Sequence, residues 1–551
     1  MSDIILVQPP ICDFYLTAKR TVPYGLACLA GQLLLNGYSV EILDALASTR
    51  SKKAALPPEM AYLRDFYSAP DISPFSMFHG FRRFGLDAEE LGGKVQNSGP
   101  FMVGISSLFT AYSDEALKTA KAVKRMCPQS FVVLGGHHPT EMPEEVLRYD
   151  FVDFIIRGEG EISIVLLADA LRSKGSVDLI PGIGFKKHDG KFHINPPASL
   201  GNLEEVAMPA AELIDNNFYR RGKKNCAVIV TGRGCPLNCS YCSIGCSSWR
   251  GFRLKSVSRV IEEMKRAVFG IGARFIDFED ENISYYREWF LDLLNEIERQ
   301  FGGCGLELRA MNGLYPPTLD EEVICAMKAA GFTALNLSLC TTSCNQLKKF
   351  RRGDVRRHFE ASLRLAEKYR LETVAYIIAG APGQDPRDSL ADLLYLADKN
   401  AIAGVSVFYP APGSADFNRC ITENRLPPAF CQFRSTALPI SDITTREDTV
   451  TLLRLARILN FFKSLKPEEK KEVFRIAGEA ENRVSVLPAS DAPHSIEARS
   501  AERRRIGKTL LGVFFRDGVI YGVSRDGQSF PHRVSDALCR EFRRGLLKLL
   551  A

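Results

Sequence analysis

Three cysteines stand close together near the middle of the chain. Cys235, Cys239 and Cys242 lie on a glycine-flanked segment that directly follows a strand-like run. Thiolates are the protein ligands of iron–sulfur clusters, and a cubane with four irons accepts four of them. Three thiolates leave one iron open to an exchangeable ligand. The spacing therefore predicts a [4Fe–4S] cluster with a vacant coordination position.

A structural zinc site and a set of small buried side chains are the alternatives for these thiols. Structural zinc usually takes four protein ligands in two Cys-x-x-Cys pairs, and no second pair with that spacing lies nearby. Cys246 is close enough in sequence to be a fourth ligand, but we interpret it as a bystander. The cluster remains the favoured interpretation.

Length and composition describe a folded protein of more than one domain. The chain has 551 residues, of which 46% are apolar and 25% charged, and a chain of this length exceeds what one hydrophobic core usually serves. The net charge of +6 includes basic runs such as Lys348–Arg352. We interpret these runs as solvated faces, so no nucleic-acid partner is expected.

The cysteine count and the absence of long apolar runs indicate the compartment. Fifteen cysteines, an odd number in a chain without a secretory signal pattern, favour free thiols and metal ligands over disulfides. No run of about 18 apolar residues is present, so no membrane span is expected. The sequence therefore predicts a cytoplasmic protein.

The first part of the chain alternates β-branched runs with helical stretches, which is typical of a parallel sheet covered by helices. For residues 1–175 this predicts a flavodoxin-like, Rossmann-like α/β domain, in which residues 51–100 form an inserted helical excursion. The predicted strands are Ile4–Gln8, Tyr38–Asp44, Met102–Ser106, Phe131–Gly135 and Phe151–Ile156.

A second alternating series follows a connector at residues 176–225, which we expect to contain a small hairpin. Six predicted βα units fit a partial (β/α)6, TIM-like barrel at residues 226–430 better than an open sheet. Residues 431–551 predict a smaller α+β C-terminal domain with a hairpin over 510–525. The six predicted strands are Ala227–Thr231, Phe275–Phe278, Leu306–Ala310, Ala334–Leu339, Thr373–Ile378 and Gly404–Tyr409.

The cysteine segment carries a family resemblance. The pattern Cys235-x-x-x-Cys239-x-Tyr241-Cys242 resembles the signature of the radical S-adenosylmethionine (SAM) superfamily. The resemblance implies that SAM chelates the open iron, and that an electron from the cluster can cleave SAM to a 5′-deoxyadenosyl radical. It makes the three cysteines the catalytic and metal-ligating residues, while the protein supplies position and shielding.

Positions farther along the barrel resemble the SAM-binding motifs of the same superfamily. Asp280, and after it Glu281, are the candidates for receiving the SAM amino group; a solvated helix start is the alternative. Residues 378–383 resemble the motif that packs against adenine, and residues 409–413 match a common sixth-strand end. The expected SAM contacts are Tyr241, Asp280, Glu281, Arg309, Ser338, Ile378, Gly380 and Pro410.

One position departs from the family pattern. Relatives usually end the fourth barrel strand with Gly-x-Glu-Ser, whose glutamate helps to hold SAM, whereas this chain reads Ser338-Leu-Cys340-Thr341. We expect Asn336, Ser338 or Arg309 to take over that contact. The departure leaves open whether SAM is cleaved homolytically.

The first sheet has its own ligand signals. Ligands of open α/β sheets bind beyond the carboxyl ends of the strands, and paired glycines there allow close approach of a bulky group. By themselves these strand ends indicate only a nucleotide-like ligand or structural turns. They read Gln8-Pro9-Pro10, Ser106-Ser107, Gly135-Gly136-His137-His138 and Gly158-Glu159-Gly160-Glu161.

In order along the chain, these segments strongly resemble the cobalamin-binding domain that precedes many radical SAM barrels. The Asp-x-His-x-x-Gly loop that gives cobalt a histidine elsewhere is missing, so the resemblance implies base-off cobalamin without a histidine ligand. His137 is assigned only to the pocket wall. The expected cobalamin contacts are Gln8, Pro9, Ser106, Ser107, Gly135, Gly136, His137, Gly158 and Glu159.

Together the two resemblances imply a cobalamin-dependent radical SAM methyltransferase. Such an enzyme moves a methyl group from SAM, via methylcobalamin, to an unactivated carbon of a small-molecule or natural-product substrate, and uses an electron donor such as flavodoxin or ferredoxin. Rearrangement, cyclisation or oxidation with the same cofactors is the main alternative. Cys340 motivates a narrower hypothesis, methyl transfer without SAM homolysis.

An RNA methylthiotransferase and a non-enzymatic cobalamin-binding module are weaker alternatives. The first would need three more cluster cysteines in the N-terminal domain, but Cys12, Cys28 and Cys127 are scattered over three elements. The intact cysteine triplet argues against the second. The substrate, the acceptor atom and the oligomeric state do not follow from these residues.

Overall fold

The N-terminal sheet has a doubly wound topology. The structure is a computed structural model that describes residues 2–14, 22–67, 70–78, 80–245, 249, 251–479 and 496–550. Five parallel strands lie in the order second, first, third, fourth, fifth, the flavodoxin-like order. They are Ile4–Gln8, Val40–Asp44, Met102–Ser106, Phe131–Gly135 and Phe154–Ile156.

Helices cover both faces of this sheet because successive side chains of a strand point to opposite faces. Ile4 and Leu6 belong to one buried cluster, and Ile5 and Val7 to another. The helices are Tyr24–Leu35, Ala88–Ser98, Ser113–Met126, His137–Glu141, Pro143–Leu147 and Glu161–Ser173. The predicted α/β sheet is confirmed.

Two segments beside the sheet complete the N-terminal half. The connector contributes an antiparallel hairpin, Ile183–Lys186 and Phe192–Ile194, that extends the sheet at its edge. The prediction that residues 51–100 form a helical excursion is wrong for residues 51–53 and 82–84, whereas Pro58–Asp65 is a 3-10 helix and Ala88–Ser98 an α-helix. Ser51–Lys53 and Arg82–Phe84 instead form a small antiparallel sheet with Ile11–Asp13, because a distant strand supplies hydrogen-bond partners that local periodicity does not reveal.

Six parallel strands in chain order form the second α/β unit. They are distributed over two sheets that are connected by bridges between Leu308 and Phe332 and between Leu314 and Leu337. Arg220–Arg221 adds a short antiparallel strand at the edge. The six strands are Lys224–Ile229, Ala273–Phe278, Glu307–Arg309, Ala334–Cys340, Glu372–Ala379 and Ile402–Val407.

Side-chain caps set the starts of several helices between these strands. Ser256 and Asp320 accept hydrogen bonds from the backbone N–H groups three residues later, which satisfies donors that the first helical turn leaves free. The helices are Val257–Lys265 with a π-helical extension Arg266–Gly270, Arg287–Phe301, Glu321–Ala330, Cys344–Lys349, Arg356–Lys368, Pro386–Tyr395 and Ala415–Thr422.

The C-terminal region is mainly helical and shares a hydrophobic core with the second unit. Leu455, Phe515 and Phe542 pack in the same buried cluster as Phe278 and Leu337. The elements are the helices Arg446–Ser464, Pro467–Gly478, Ile496–Asp517 and Asp536–Leu550 and the strands Tyr521–Val523 and Ser529–Pro531.

The predicted hairpin over residues 510–525 is wrong in position. Residues 510–515 continue the helix Ile496–Asp517, and the hairpin follows it. Leu510, Leu511, Phe514 and Phe515 are all buried, so the run is apolar on every face and shows no helical period. In the part of the chain that the structure describes, no helix is long and apolar enough to cross a membrane.

Candidate functional site

The cysteine segment is framed by a short hairpin at the end of the first strand of the second unit. Gly232–Arg233 pairs with Arg253–Leu254 on the far side of the loop. Cys239 is buried, whereas Cys235 and Cys242 are partly exposed. Burial, with the neighbouring thiols of Cys242 and Cys239, raises the pKa of Cys235 to about 11. The three thiols therefore lie within one another's electrostatic field.

Three thiols on one loop are a donor set that an iron–sulfur cluster can use. A cubane places each thiolate on a different iron, so three thiolates leave one iron open. Among the described side chains, no three His, Cys, Asp or Glu groups converge to hold one metal ion. Cys246 lies outside the described residues. The residues present fit a [4Fe–4S] cluster that Cys235, Cys239 and Cys242 would hold.

Asp280 anchors the start of the cysteine loop. Its buried carboxylate accepts hydrogen bonds from the Thr231 N–H at 2.9 Å, the Thr231 hydroxyl at 2.8 Å and the Gly232 N–H at 2.8 Å. Burial raises the pKa of Asp280 to about 6. The predicted contact with the SAM amino group stays a prediction, while the geometry gives this side chain an anchoring position. Glu281 lies beside it, partly exposed.

Tyr241 packs in a buried cluster beside the cysteine loop. Its ring meets Phe350 edge-on at 5.0 Å, and its hydroxyl accepts a hydrogen bond from Arg352 at 3.0 Å. Ile378 and Cys340 belong to the same cluster. The structure thus brings together two of the expected SAM contacts, Tyr241 and Ile378, around the position where relatives have a glutamate.

Cys340 occupies that position in an unusual conformation. Its φ is +72°, in the left-handed region that residues with a Cβ rarely adopt, and the strand pairing shifts register beside it. Burial raises the pKa of its thiol to about 12. Cys340 is therefore a neutral thiol at physiological pH and does not replace the missing carboxylate electrostatically.

The remaining expected SAM contacts lie along the ends of the strands. Arg309 forms an ion pair with the buried Asp277, so its charge is already compensated. Ser338 donates its backbone N–H to the Leu314 carbonyl at 3.0 Å. Gly380 has φ +78°, and Pro410 is buried after the last strand.

A cavity of about 440 Å³ lies at the carboxyl ends of the first sheet. Val230, Arg233 and Glu279 of the second unit also line it, so the cavity extends between the two units. It is lined by eight of the nine residues predicted to contact cobalamin, namely Gln8, Pro9, Ser106, Ser107, Gly135, Gly136, Gly158 and Glu159.

Two of these glycines are required by close backbone approach. Gly136 has φ +114°, and a Cβ there would lie 2.8 Å from the Ser107 carbonyl oxygen. Gly158 has φ +82°, and a Cβ would lie 2.2 Å from the Ala198 carbonyl oxygen. Neither position tolerates a side chain without moving the backbone that shapes the cavity.

His137, the ninth predicted residue, contacts the cysteine loop instead of lining the cavity. Its Nε2 lies 2.8 Å from the hydroxyl of the buried Ser243, one residue after Cys242. His138 is buried against Thr110 and the ring edge of Phe430. His137 therefore connects the first sheet to the cysteine loop of the second unit, and His138 connects it to Phe430, which follows the last strand of that unit.

Ion pairs make a second connection between the two units. Arg233, two residues before Cys235, pairs with Glu161, and Arg253 pairs with Glu159 at 2.7 Å. Glu159 lines the cavity as predicted, but its carboxylate is engaged by these arginines. Sequence reasoning missed the arginines, although both flank the cysteine motif.

Sequence reasoning also missed the inward position of Arg352. The basic run Lys348–Arg352 was predicted to lie on a solvated face. For Arg352 this prediction is wrong, because its side chain turns inward and its Nε is buried. Its guanidinium lies 3.9 Å from the Cys239 sulfur. The following residues through Asp354 are polar as well, so no hydrophobic pattern in the sequence marks the inward turn.

Two family models match the chain. Residues 229–394 match the Radical SAM superfamily, and residues 82–168 match the B12 binding domain. The chain joins a B12-binding domain to a radical SAM domain. Both predicted resemblances are confirmed, and with them the cofactors: a [4Fe–4S] cluster, SAM and cobalamin.

Two relatives are similar to this chain over most of their own length. An uncharacterized methyltransferase of Pyrococcus horikoshii is 28% identical over 66% of this chain and 79% of its own. Cytidylyl-2-hydroxyethylphosphonate methyltransferase of Streptomyces wedmorensis is 24% identical over 79% of this chain and 84% of its own.

A solved structure shares the fold of the whole chain. The cobalamin-dependent S-adenosylmethionine radical enzyme OxsB, with aqua-cobalamin and S-adenosylmethionine bound, has a TM-score of 0.63 and 14% sequence identity. The match covers 100% of this chain and 79% of OxsB. It therefore includes the C-terminal region, for which the sequence offered no motif.

Proposed function

We propose that this protein is a cobalamin-dependent radical SAM methyltransferase that transfers a methyl group from SAM, through cobalamin, to an unactivated carbon of a small molecule. One observation carries the proposal. The cavity at the ends of the cobalamin-type sheet is also lined by Val230, Arg233 and Glu279, which lie on the strand ends and loop that present the cluster cysteines. A substrate between the two units would therefore be within reach of both cofactor sites.

The two cofactors supply one-carbon transfer and one-electron chemistry, and the residues of the chain position and shield them. Asp280 holds the backbone before Cys235, and the Ser243 hydroxyl ties the backbone after Cys242 to His137. The cysteine loop is thus fixed on both sides. Such fixation keeps reacting groups in register without reorganisation during the reaction.

The cavity wall supports the exclusion of water. Most of its lining is apolar and includes Leu6, Leu26, Leu29 and Ile164 from the sheet and its helices. An apolar lining disfavours water beside reactive intermediates and so limits their side reactions with solvent. The names of the two relatives, both methyltransferases, support the same reaction type.

A second version of the reaction, methyl transfer without homolytic cleavage of SAM, is favoured by Cys340. The neutral thiol stands where the superfamily usually has a SAM-holding glutamate, so one expected contact with SAM is lacking.

The proposal also includes a small-molecule substrate, a low-potential donor such as flavodoxin or ferredoxin, and a cytoplasmic location. The domain limits 1–175, 176–225, 226–430 and 431–551 are likewise proposed.

Product analysis tests the proposal. Protein purified without oxygen and reconstituted with iron, sulfide and cobalamin is incubated with a reductant, trideuteromethyl-SAM and fractionated small-molecule extract. We expect S-adenosylhomocysteine and a compound heavier by one trideuteromethyl group, both absent when Cys235, Cys239 and Cys242 are replaced by alanine. 5′-Deoxyadenosine formed in proportion to product would exclude transfer without homolysis.

Turnover to a product that carries no deuterium would contradict methyl transfer. In that case the alternative with the same cofactors, rearrangement, cyclisation or oxidation, would be favoured. A variant with Asp292→Asn serves as a matched control for the protein preparation, because it changes an exposed acidic residue on the helix Arg287–Phe301 and leaves all three thiols and the expected SAM contacts in place.

A further inference from the structure

Arg352 is a cation that faces the cysteine loop within the second unit. It follows the helix Cys344–Lys349, and the preceding residue, Arg351, has φ +54°. That left-handed conformation turns the chain back toward the ends of the strands. The side chain therefore points to the interior, beside Tyr241 and Cys239.

Every described partner of this guanidinium is formally neutral. One terminal nitrogen donates to the Tyr241 hydroxyl at 3.0 Å and lies 3.9 Å from the Cys239 sulfur, and the other donates to the Ser338 carbonyl at 3.3 Å. The Tyr315 ring lies 5.3 Å from its central carbon. Within the described residues it forms no ion pair with a carboxylate, unlike Arg233, Arg253 and Arg309.

An inward-turned cation without an anion is costly. Buried charges in proteins are normally paired, and an unsatisfied donor adds a further cost of about 1–3 kcal/mol. Arg352 carries such a donor, because its buried Nε has no acceptor. A thiolate-ligated cluster held by Cys239 would supply the missing negative charge at the place toward which the guanidinium points.

We propose that Arg352 is the counter-charge of the iron–sulfur cluster and raises its reduction potential through the Cys239 sulfur. The cluster gains one negative charge when it accepts one electron from an external reductant. A fixed positive charge and a hydrogen bond to a ligating sulfur favour the more negative state. Arg352 is thus a positioning residue that makes the cluster easier to reduce.

This inference depends on the cluster and not on methyl transfer. Reconstituted full-length protein is titrated with dithionite, and the reduced cluster is quantified by electron paramagnetic resonance. We expect Arg352→Gln to shift the midpoint to a more negative potential. A tenfold lower ratio of reduced to oxidised cluster at a fixed potential corresponds to ~59 mV for a one-electron couple.

A nearby arginine provides the matched control. Arg356 lies four residues later, is partly exposed and pairs with Asp354. Arg356→Gln should leave the midpoint unchanged. Arg352→Lys keeps the positive charge and loses the branched hydrogen-bonding group of the guanidinium. Its midpoint potential should therefore lie closer to that of the unchanged protein than the midpoint potential of Arg352→Gln does.

Iron per chain separates an electronic effect from loss of the cluster. A fully loaded Arg352→Gln protein with an unchanged midpoint would overturn the proposal. If Arg352→Gln does not assemble the cluster, Arg352→Lys decides. Full assembly of Arg352→Lys with a midpoint potential near that of the unchanged protein supports a counter-charge. Failure of Arg352→Lys to assemble the cluster would show that a positive charge at this position is not sufficient, and would overturn the counter-charge role.

Discussion

At the scale of single residues, Asp280 shows how one carboxylate can hold a ligand loop. It accepts hydrogen bonds from the N–H groups of Thr231 and Gly232, both before Cys235. Leaving a buried donor unsatisfied costs about 1–3 kcal/mol. The shape of the cysteine loop therefore depends on a side chain that the family resemblance assigns to SAM.

Replacing Asp280 distinguishes these two roles. We expect Asp280→Ala to lower the iron content after anaerobic reconstitution, because the loop loses its anchor, and Asp280→Asn to retain more iron because one acceptor oxygen remains. Asp292→Asn, at an exposed position of the helix Arg287–Phe301, is the control, with iron content unchanged. If Asp280→Ala bound a full complement of iron and only its SAM affinity fell, the anchoring role would be wrong.

The buried His138 makes stability depend on pH. Burial lowers the pKa of His138 to about 4, from an ordinary value of 6.5. A depressed folded-state pKa contributes stability that is complete above pH 6.5 and is lost as pH falls toward 4. At 1.36 kcal/mol for each pKa unit, the contribution is on the order of 3 kcal/mol.

Denaturant unfolding measures this contribution. We expect the free energy of unfolding to fall between pH 6.5 and 4.5, and to fall less steeply in His138→Gln, which cannot be protonated in this range. His188 is exposed, so His188→Gln is the control. This variant should keep the pH dependence of the free energy of unfolding that the unchanged protein has. Parallel pH profiles for His138→Gln and the unchanged protein would contradict the assignment.

At the scale of elements, the first sheet and the cysteine hairpin are joined by charge. Glu161 begins the helix Glu161–Ser173, and its partner Arg233 belongs to the short strand Gly232–Arg233. Only 5% of the Glu161 side chain and 26% of the Arg233 side chain is exposed. The pair is shielded from solvent, so without Glu161 the Arg233 guanidinium keeps only a longer contact with Glu159, at 3.7 Å, and its charge is poorly compensated.

We expect Glu161→Ala to lower the free energy of unfolding by ~3–5 kcal/mol, the usual effect of breaking a buried ion pair. The double variant Glu161→Ala with Arg233→Ala should recover part of that loss, because the stranded charge is removed. Chemical denaturation measures both. Glu89→Ala, which removes an exposed pair with Arg125, is the control and should change little. Equal effects of the Glu161 and Glu89 variants would refute a structural role for the buried pair.

At the scale of the whole molecule, the C-terminal helices complete the core of the radical SAM unit. Phe542 is fully buried and belongs to the same cluster as Phe278 on the second barrel strand. Arg454, also buried, donates to the backbone carbonyls of Phe66 and Phe75. The C-terminal region therefore contacts both the inserted segment and the strands that present the site.

We expect Phe542→Ala to destabilise the protein by ~3–5 kcal/mol, the cost of a large cavity in a core. Leu549→Ala, on the same helix but with 52% of the residue exposed, should have little effect. The midpoint of chemical denaturation measures both. If Phe542→Ala were as stable as Leu549→Ala, the C-terminal helices would not be part of the cooperative core.

The sequence by itself determined the parts of the protein whose information is local. The cysteine spacing predicts the cluster ligands, and the strand ends of the first sheet correctly identify eight residues that line one cavity. Strand periodicity and helix caps depend on neighbours in the chain, so the α/β pattern could be predicted. The run at residues 510–515 could not, because a segment buried on every side has no polar face to reveal its period.

Only the tertiary structure decided which charges meet. Arg233, Arg253 and Arg352 stand in segments whose sequence does not show whether the arginine is buried or solvated, and their partners lie up to 113 positions away. The burial of a charge depends on what packs over it, and that packing brings together residues from distant elements. For this reason the ligands of the cluster could be predicted from spacing, whereas the anchor, the ion pairs and the cation around them required the folded chain.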